Sequence, residues 1–180
     1  DIHLGRANPI KLMALVLGEL RETVEYELAE LSGGHSPNSI PMECSAVITL
    51  DPQFIPALAQ AAAHISGKLS PLYGRRDPDG RLSLTEVQPP ERVWTAPCRD
   101  GTLDLLSLLY TGVYAMHDTI PDRVSASSNL GMVYTQEEKI TVRTFLRCTH
   151  DFSEEILAFQ HARAARSAGF SLASHGYPGW

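Results

Sequence analysis

Residues 33 to 41 read GGHSPNSIP. His35 beside Ser36 has the residue types of a base and a nucleophile, because a serine hydroxyl becomes reactive only with an imidazole in hydrogen-bond reach. Sequence neighbours seldom achieve that geometry, and no G-x-S-x-G elbow or third orienting group accompanies the pair. The stretch reads as a polar loop. The other histidines, at 3, 64, 117, 150, 161 and 175, are dispersed, without H-E-x-x-H, H-x-H or C-x-x-C. His117 with Asp118 and His150 with Asp151 imitate ligand pairs, but adjacent residues on a helix or strand point apart, and helix-end positions suit both histidines better. His64 reads as a partly exposed residue of an alanine-rich helix. No catalytic residue and no metal ligand is expected from this chain. Cys44 and Cys148 fall on the apolar faces of their strands, where a thiol packs as a small hydrophobe.

One cation has a different setting. In KITVRTFLRC, residues 139 to 148, period two puts Ile140, Val142, Thr144, Leu146 and Cys148 on one face and Lys139, Thr141, Arg143, Phe145 and Arg147 on the other. Arg147 thus points away from the apolar face at a strand end, where a guanidinium can fork onto a carboxylate. Taken alone, the same placement also fits a surface salt bridge.

Positioning such groups requires a folded domain, and the bulk numbers allow one. The 180 residues are 43% apolar and 20% charged, an ordinary globular composition. A net charge of −6 with scattered Lys and Arg argues against a nucleic-acid partner. Three cysteines, odd in number and without short spacing, fit reduced thiols and a cytoplasmic location. No apolar run is long enough to span a bilayer, so no membrane association is expected. The chain lacks an initiator methionine and starts abruptly at Asp1, which reads as the cut end of a longer protein.

Ile10, Met13, Leu17, Leu20 and Val24 recur at helical spacing behind an Asn8 cap and Pro9. EYELAEL (25–31) partly alternates and ECSAVITL (43–50) alternates cleanly, predicting two strands. Asp51 and Pro52 open a second helix with Phe54, Leu58, Ala61 and Ile65 inward, and LSLTEVQ (82–88) follows as a short strand. The order then begins again. TLDLLSLLYTGVYAM (102–116) predicts a helix, RVSASSNLGMVY (123–134) and KITVRTFLRC two strands, Asp151 with Glu154 a capping box opening a helix to about Ser167, and SLASHGY (171–177) a closing strand. The expectation is an α+β two-layer sandwich with a mainly antiparallel sheet, built from duplicated helix-strand-strand-helix-strand halves at 1–90 and 91–180.

DIHLGRANPIKLM, GGHSPNSIP, SSNLGMV, FLRCTHD and the terminal YPGW together resemble, in order and spacing, the lid domain of the aminoacyl-histidine dipeptidases, non-specific dipeptidases of the dinuclear zinc exopeptidase superfamily. The resemblance runs over the whole chain. It implies a domain inserted in a zinc-binding catalytic domain, with the lid commonly carrying the dimer contact, so that the partners would be the enzyme's own catalytic domain, a dipeptide and a second copy. The two zinc ions and the glutamate base would belong to the catalytic domain, and no cofactor is expected in the lid itself.

Two residues carry over individually from the resemblance. Asn38, in N-S-I-P, matches the loop asparagine that reaches the bound dipeptide near the reacting carbonyl. Arg147, in F-L-R, matches the lid arginine that clamps the substrate's C-terminal carboxylate. His35 does not take the role of the family's lid histidine, whose Gly-Gly-His-Ser-Gly motif precedes DIHLGR. Ser39 stands where Ala is usual, and Cys148 to His150 where small polar residues are common, which bears on fine specificity. The competing reading is a self-standing duplicated α+β module that binds a small ligand or a protein and hydrolyses nothing.

Overall fold

The computed structural model describes residues 2–136 and 138–176. The YPGW motif and Tyr177, the last residue of the expected closing strand, lie outside them. Among the described residues the chain folds into four helices and five strands. In order they are α1 (Pro9–Arg21), β1 (Tyr26–Gly33), β2 (Cys44–Leu50), α2 (Ile55–Tyr73), α3 (Ala96–Leu108), β3 (Gly112–Met116), β4 (Val124–Gln136), β5 (Lys139–Cys148) and α4 (Asp151–Ser167). Among the described residues no helix is long and apolar enough to cross a membrane.

The sheet is antiparallel throughout and centres on β4, the longest strand at 13 residues. β5 pairs along one edge of β4 from Ala126 to Gln136. The other edge is shared: β3 pairs with its first half and β1 meets its second half at Gly33 opposite Val133, with β2 outside β1. The partial alternation of β1 has a cause in this register. A bulge between Leu28 and Glu30 resets the pleat, so that Tyr26, Leu28 and Leu31 all face the core.

The helices cover one face of this sheet. α1 buries Ile10, Ala14, Val16, Leu17 and Leu20, α3 buries Leu103, Leu105 and Leu106, and both meet Leu28, Leu31, Leu130 and Val133 of the strands in one core. Each fully buried Leu or Ile contributes roughly 1.5–3 kcal/mol. Cys44, Ala46, Ile48 and Leu50 line the same side from β2, and Ile140 and Val142 from β5. The α+β two-layer class with an antiparallel sheet is therefore borne out.

Several element expectations are corrected. Residues 82–88 form no strand: Leu84 and Val87 are exposed, and alternation without a neighbouring strand leaves the backbone unpaired. The third helix starts six residues earlier, behind Thr95 and with Pro97 in its first turn, and stops at Leu108; GVYAM is β3. The expected capping box does not form. His150 occupies the N-cap with extended backbone, Asp151 is already helical, and no side chain caps the turn. Residues 171–176 are not a strand. As a result residues 1–90 run helix, strand, strand, helix, and residues 91–176 run helix, strand, strand, strand, helix, so the element order carries no repeat. His117 sits in the turn after β3, its Nδ1 accepting from the Thr119 and Ile120 amides, and is not at a helix end.

Candidate functional site: the open face of the sheet

β5 places the arginine. Thr144 on its inner face meets His161 of α4, and Ile140 and Val142 reach the core, so Arg143, Phe145 and Arg147 point to the helix-free face. Arg147 is exposed and lies over the Phe145 ring, 5.4 Å from its centroid. Among the described residues no carboxylate lies within salt-bridge distance of it, so its charge is free to meet an anion.

The loop joining β1 to β2 lies on the same face. Its first residue, Gly34, adopts φ +72°, a left-handed turn that a glycine takes without strain. Ser39 N–H then bonds the Ser36 carbonyl at 3.3 Å, and the Ser36 hydroxyl donates to Asn38 Oδ1 at 2.6 Å. Asn38 is exposed. Beneath it, Asn129 of β4 donates from Nδ2 to the carbonyls of Pro37 and Ser39, at 2.8 and 2.7 Å. Gly131 touches the loop as well, since a Cβ built there would stand 2.5 Å from Pro37 Cα.

Register then relates the loop to the arginine. Asn129 is opposite Phe145, and Ser127 is opposite Arg147. The residue gripping the Asn38 loop and the residue opposite Arg147 are thus two positions apart on β4, side by side on one face. Arg147 and the residue that holds the Asn38 loop are brought to the same face of the ladder, two rungs apart.

His35 and Ser36 form no base–nucleophile pair. Ser36 directs its hydroxyl to Asn38, and His35 Nε2 lies 3.5 Å from Glu43 Oε1 with both side chains well exposed. A shallow pocket of about 220 Å³ beside the loop is lined by Gly33, Gly34, His35, Glu43 and Cys44. Burial pushes the Cys44 thiol up to about 12, so it is protonated and inert at neutral pH. Among the described residues no group of three His, Cys, Asp or Glu side chains could hold a metal ion.

A second polar group, absent from the sequence reading, is interior. His161 is 4% exposed; its Nε2 lies 3.3 Å from Ser128 Oγ and its Nδ1 3.3 Å from Thr144 Oγ1. Ser128 is fully buried and donates to the Tyr110 carbonyl, so this serine and histidine tie α4 to β4 and β5 with no path for a substrate. Sequence reasoning also passed over Asn129 as a site residue. The signal was its place in SSNLGMV, two residues before a glycine, but its contacts lie 90 and 92 residues away.

Residues 1–76 match a family model described as a peptidase dimerisation domain. A search of curated proteins finds no match. Among solved structures, the crystal structure of aminoacylhistidine dipeptidase from Vibrio alginolyticus superposes with a TM-score of 0.94 at 28% identity, over 100% of this chain and 37% of that one. The chain thus spans little more than a third of the length of that enzyme. The resemblance stated from the sequence motifs is borne out as a likeness: the whole chain has the fold of part of that dipeptidase, and its first 76 residues match a peptidase dimerisation domain.

Proposed function

We propose that this chain is the lid of a longer, cytoplasmic, zinc-dependent dipeptidase and supplies two contacts to a short peptide, Arg147 to its C-terminal carboxylate and Asn38 to the oxygen of the scissile carbonyl. The observation that carries the reading is the shared open face, where Arg147, without a carboxylate partner among the described residues, and the residue that holds the Asn38 loop lie two rungs apart on β4 and β5.

In this reading the metal centre belongs to polypeptide outside the described residues, which offer no ligand set. Two zinc ions bound there would supply Lewis-acid polarisation of the peptide carbonyl and activation of a water. The chain's own part is placement. A guanidinium held on a rigid strand fixes the C-terminal carboxylate, and an asparagine amide on a clamped loop donates to the scissile carbonyl, so only a peptide with one residue beyond the scissile bond engages both. Closure of such a lid also strips water from the pair of contacts, which strengthens them. A lid with a dimerisation-domain match in its first 76 residues is also read as the contact between two copies of the enzyme. Alone, the lid binds no zinc and cleaves nothing.

The test compares a dipeptide with its C-terminal amide in the longer enzyme. The wild type should prefer the free acid strongly, and Arg147→Ala should lower kcat/KM for the free acid by about 100-fold while leaving the amide nearly unchanged. Equal kinetics of the two proteins on free dipeptides would remove Arg147 from the site.

A further inference from the structure

We infer that Asn129 is the positioning residue for Asn38, acting through the backbone on either side of it, and that Ser36 sets which atom of Asn38 faces the substrate. The inference rests on the proposed role of Asn38 and adds the machinery that would make it a directed donor.

Three observations converge. Asn129 is 7% exposed and gives both of its observed hydrogen bonds to one loop, at the carbonyls of residues 37 and 39, which flank Asn38. Its Oδ1 is buried and has no partner among the described residues. A buried amide with one unpaired end is costly, and an apolar side chain of the same shape would suit the interior better. The two loop carbonyls are the only recompense visible for keeping it, so holding the loop is what this side chain does.

The second observation is steric. Gly131 admits the loop onto β4 because it has no side chain, and Gly34 turns the loop toward it in a left-handed conformation. The loop is pressed against the strand at Gly131 and stitched to it at Asn129, two residues earlier. That leaves its backbone little freedom.

The third concerns the amide of Asn38 itself. Its Oδ1 accepts from Ser36 at 2.6 Å. With the oxygen engaged inside the loop, the Nδ2 hydrogens are the end left for a ligand. The group that the free Nδ2 end recognises is an acceptor, a carbonyl or carboxylate oxygen.

The experiment uses the longer enzyme carrying this chain. Asn129→Asp keeps the shape but cannot donate, so both carbonyls lose their partner. Hydrogen exchange of residues 34–41 should accelerate about tenfold while β5 keeps its protection, and kcat/KM for a free dipeptide should fall between about 10-fold and 100-fold. In an Asn38→Ala background the same substitution should cost nothing further, because both act through one group. Unchanged exchange in the loop, or an undiminished loss in the Asn38→Ala background, overturns the inference. If Asn129→Asp fails to fold, Ser36→Ala carries the test: it should slow the wild type and have no effect in the Asn38→Ala background, and equal losses in both overturn the inference. Asn38→Ala with wild-type kinetics would sink the proposed role of Asn38 and this inference with it, and the exchange measurement separates that case from failure of the clamp alone.

Discussion

Gly34 and Gly131 meet backbone to backbone: a methyl group on Gly34 would drive into the Gly131 carbonyl oxygen, and one on Gly131 would stand 2.5 Å from Pro37 Cα. The contact is between main chains 97 residues apart in sequence, and no side-chain rotation can relieve it. Gly169 provides a natural comparison, since it also has positive φ, at +79°, but nothing within 4 Å of its Cβ direction. Gly169→Ala should cost only the left-handed strain, about 1–2 kcal/mol. Gly34→Ala should cost that strain and about 1–3 kcal/mol of overpacking besides. Urea denaturation of the two variants measures the difference directly, and equal midpoints would show that the loop does not press on β4.

A guanidinium binds a carboxylate through two parallel N–H bonds, and an ammonium supplies charge without the fork. Arg147→Lys should therefore retain preference for a free C-terminus yet lose about tenfold in kcat/KM on dipeptides, a smaller loss than Arg147→Ala. Steady-state kinetics on a dipeptide and its amide separate the three proteins. A lysine variant as active as wild type would reduce Arg147 to a point charge.

The elements that sequence revealed best are those whose neighbours are nearby or whose burial is one-sided. KITVRTFLRC is bounded as expected because only one face of β5 meets helices, so every second residue except Thr144 is apolar. Asn8 followed by Pro9 marks the start of α1 because the cap satisfies amides two and three residues away. LSLTEVQ has the same alternation as a real strand and no strand beside it, and a strand exists only by pairing. The start of α3 is hidden because APCRDG carries a proline and a glycine that ordinarily mark a connector, while its helical state is fixed by packing of Leu103, Leu105 and Leu106 downstream. Arg147 could be assigned to the open face from its own strand alone. Asn129 could not be assigned to the site, since what it holds arrives from a loop about 90 residues earlier.

Asn8 serves two elements at once. Its Oδ1 caps α1 by accepting from the Ile10 and Lys11 amides, at 3.0 and 3.3 Å, and its Nδ2 donates to the Leu130 carbonyl at 2.8 Å. Leu130 lies on the edge of β4 between the stretch paired with β3 and the residue paired with β1, where no strand supplies a donor. Asn8→Ser should preserve the cap and orphan the carbonyl, costing about 1–3 kcal/mol. Asn8→Ala should lose both, adding about 1 kcal/mol. Chemical denaturation ranks the variants, and identical losses would mean that the cap contributes nothing.

His161 should make the stability of the domain pH-dependent. Burial pulls its pKa below the ordinary 6.5, the nearby charge of Lys11 pulls the same way, and the Tyr110 carbonyl opposes them. The hydroxyls of Ser128 and Thr144 face its two ring nitrogens. Ser128 spends its proton on the Tyr110 carbonyl, so its oxygen can accept from Nε2–H while Thr144 donates to Nδ1, and a neutral ring is fully satisfied. Because the folded value lies below the unfolded one, the unfolded chain takes up the proton first as pH falls. The stability that neutral His161 provides is therefore complete above about pH 6.5 and is lost as pH falls below it toward the folded value. The slope in that window is at most about 1.4 kcal/mol per pH unit for one proton. Urea midpoints at pH 7 and pH 5 should differ more for wild type than for His161→Gln, whose amide can donate and accept but does not titrate. The exposed histidines contribute equally to both proteins, so the difference between them isolates the buried ring. Parallel pH dependence in the two would place the acid sensitivity of the domain elsewhere than the α4–β4 contact.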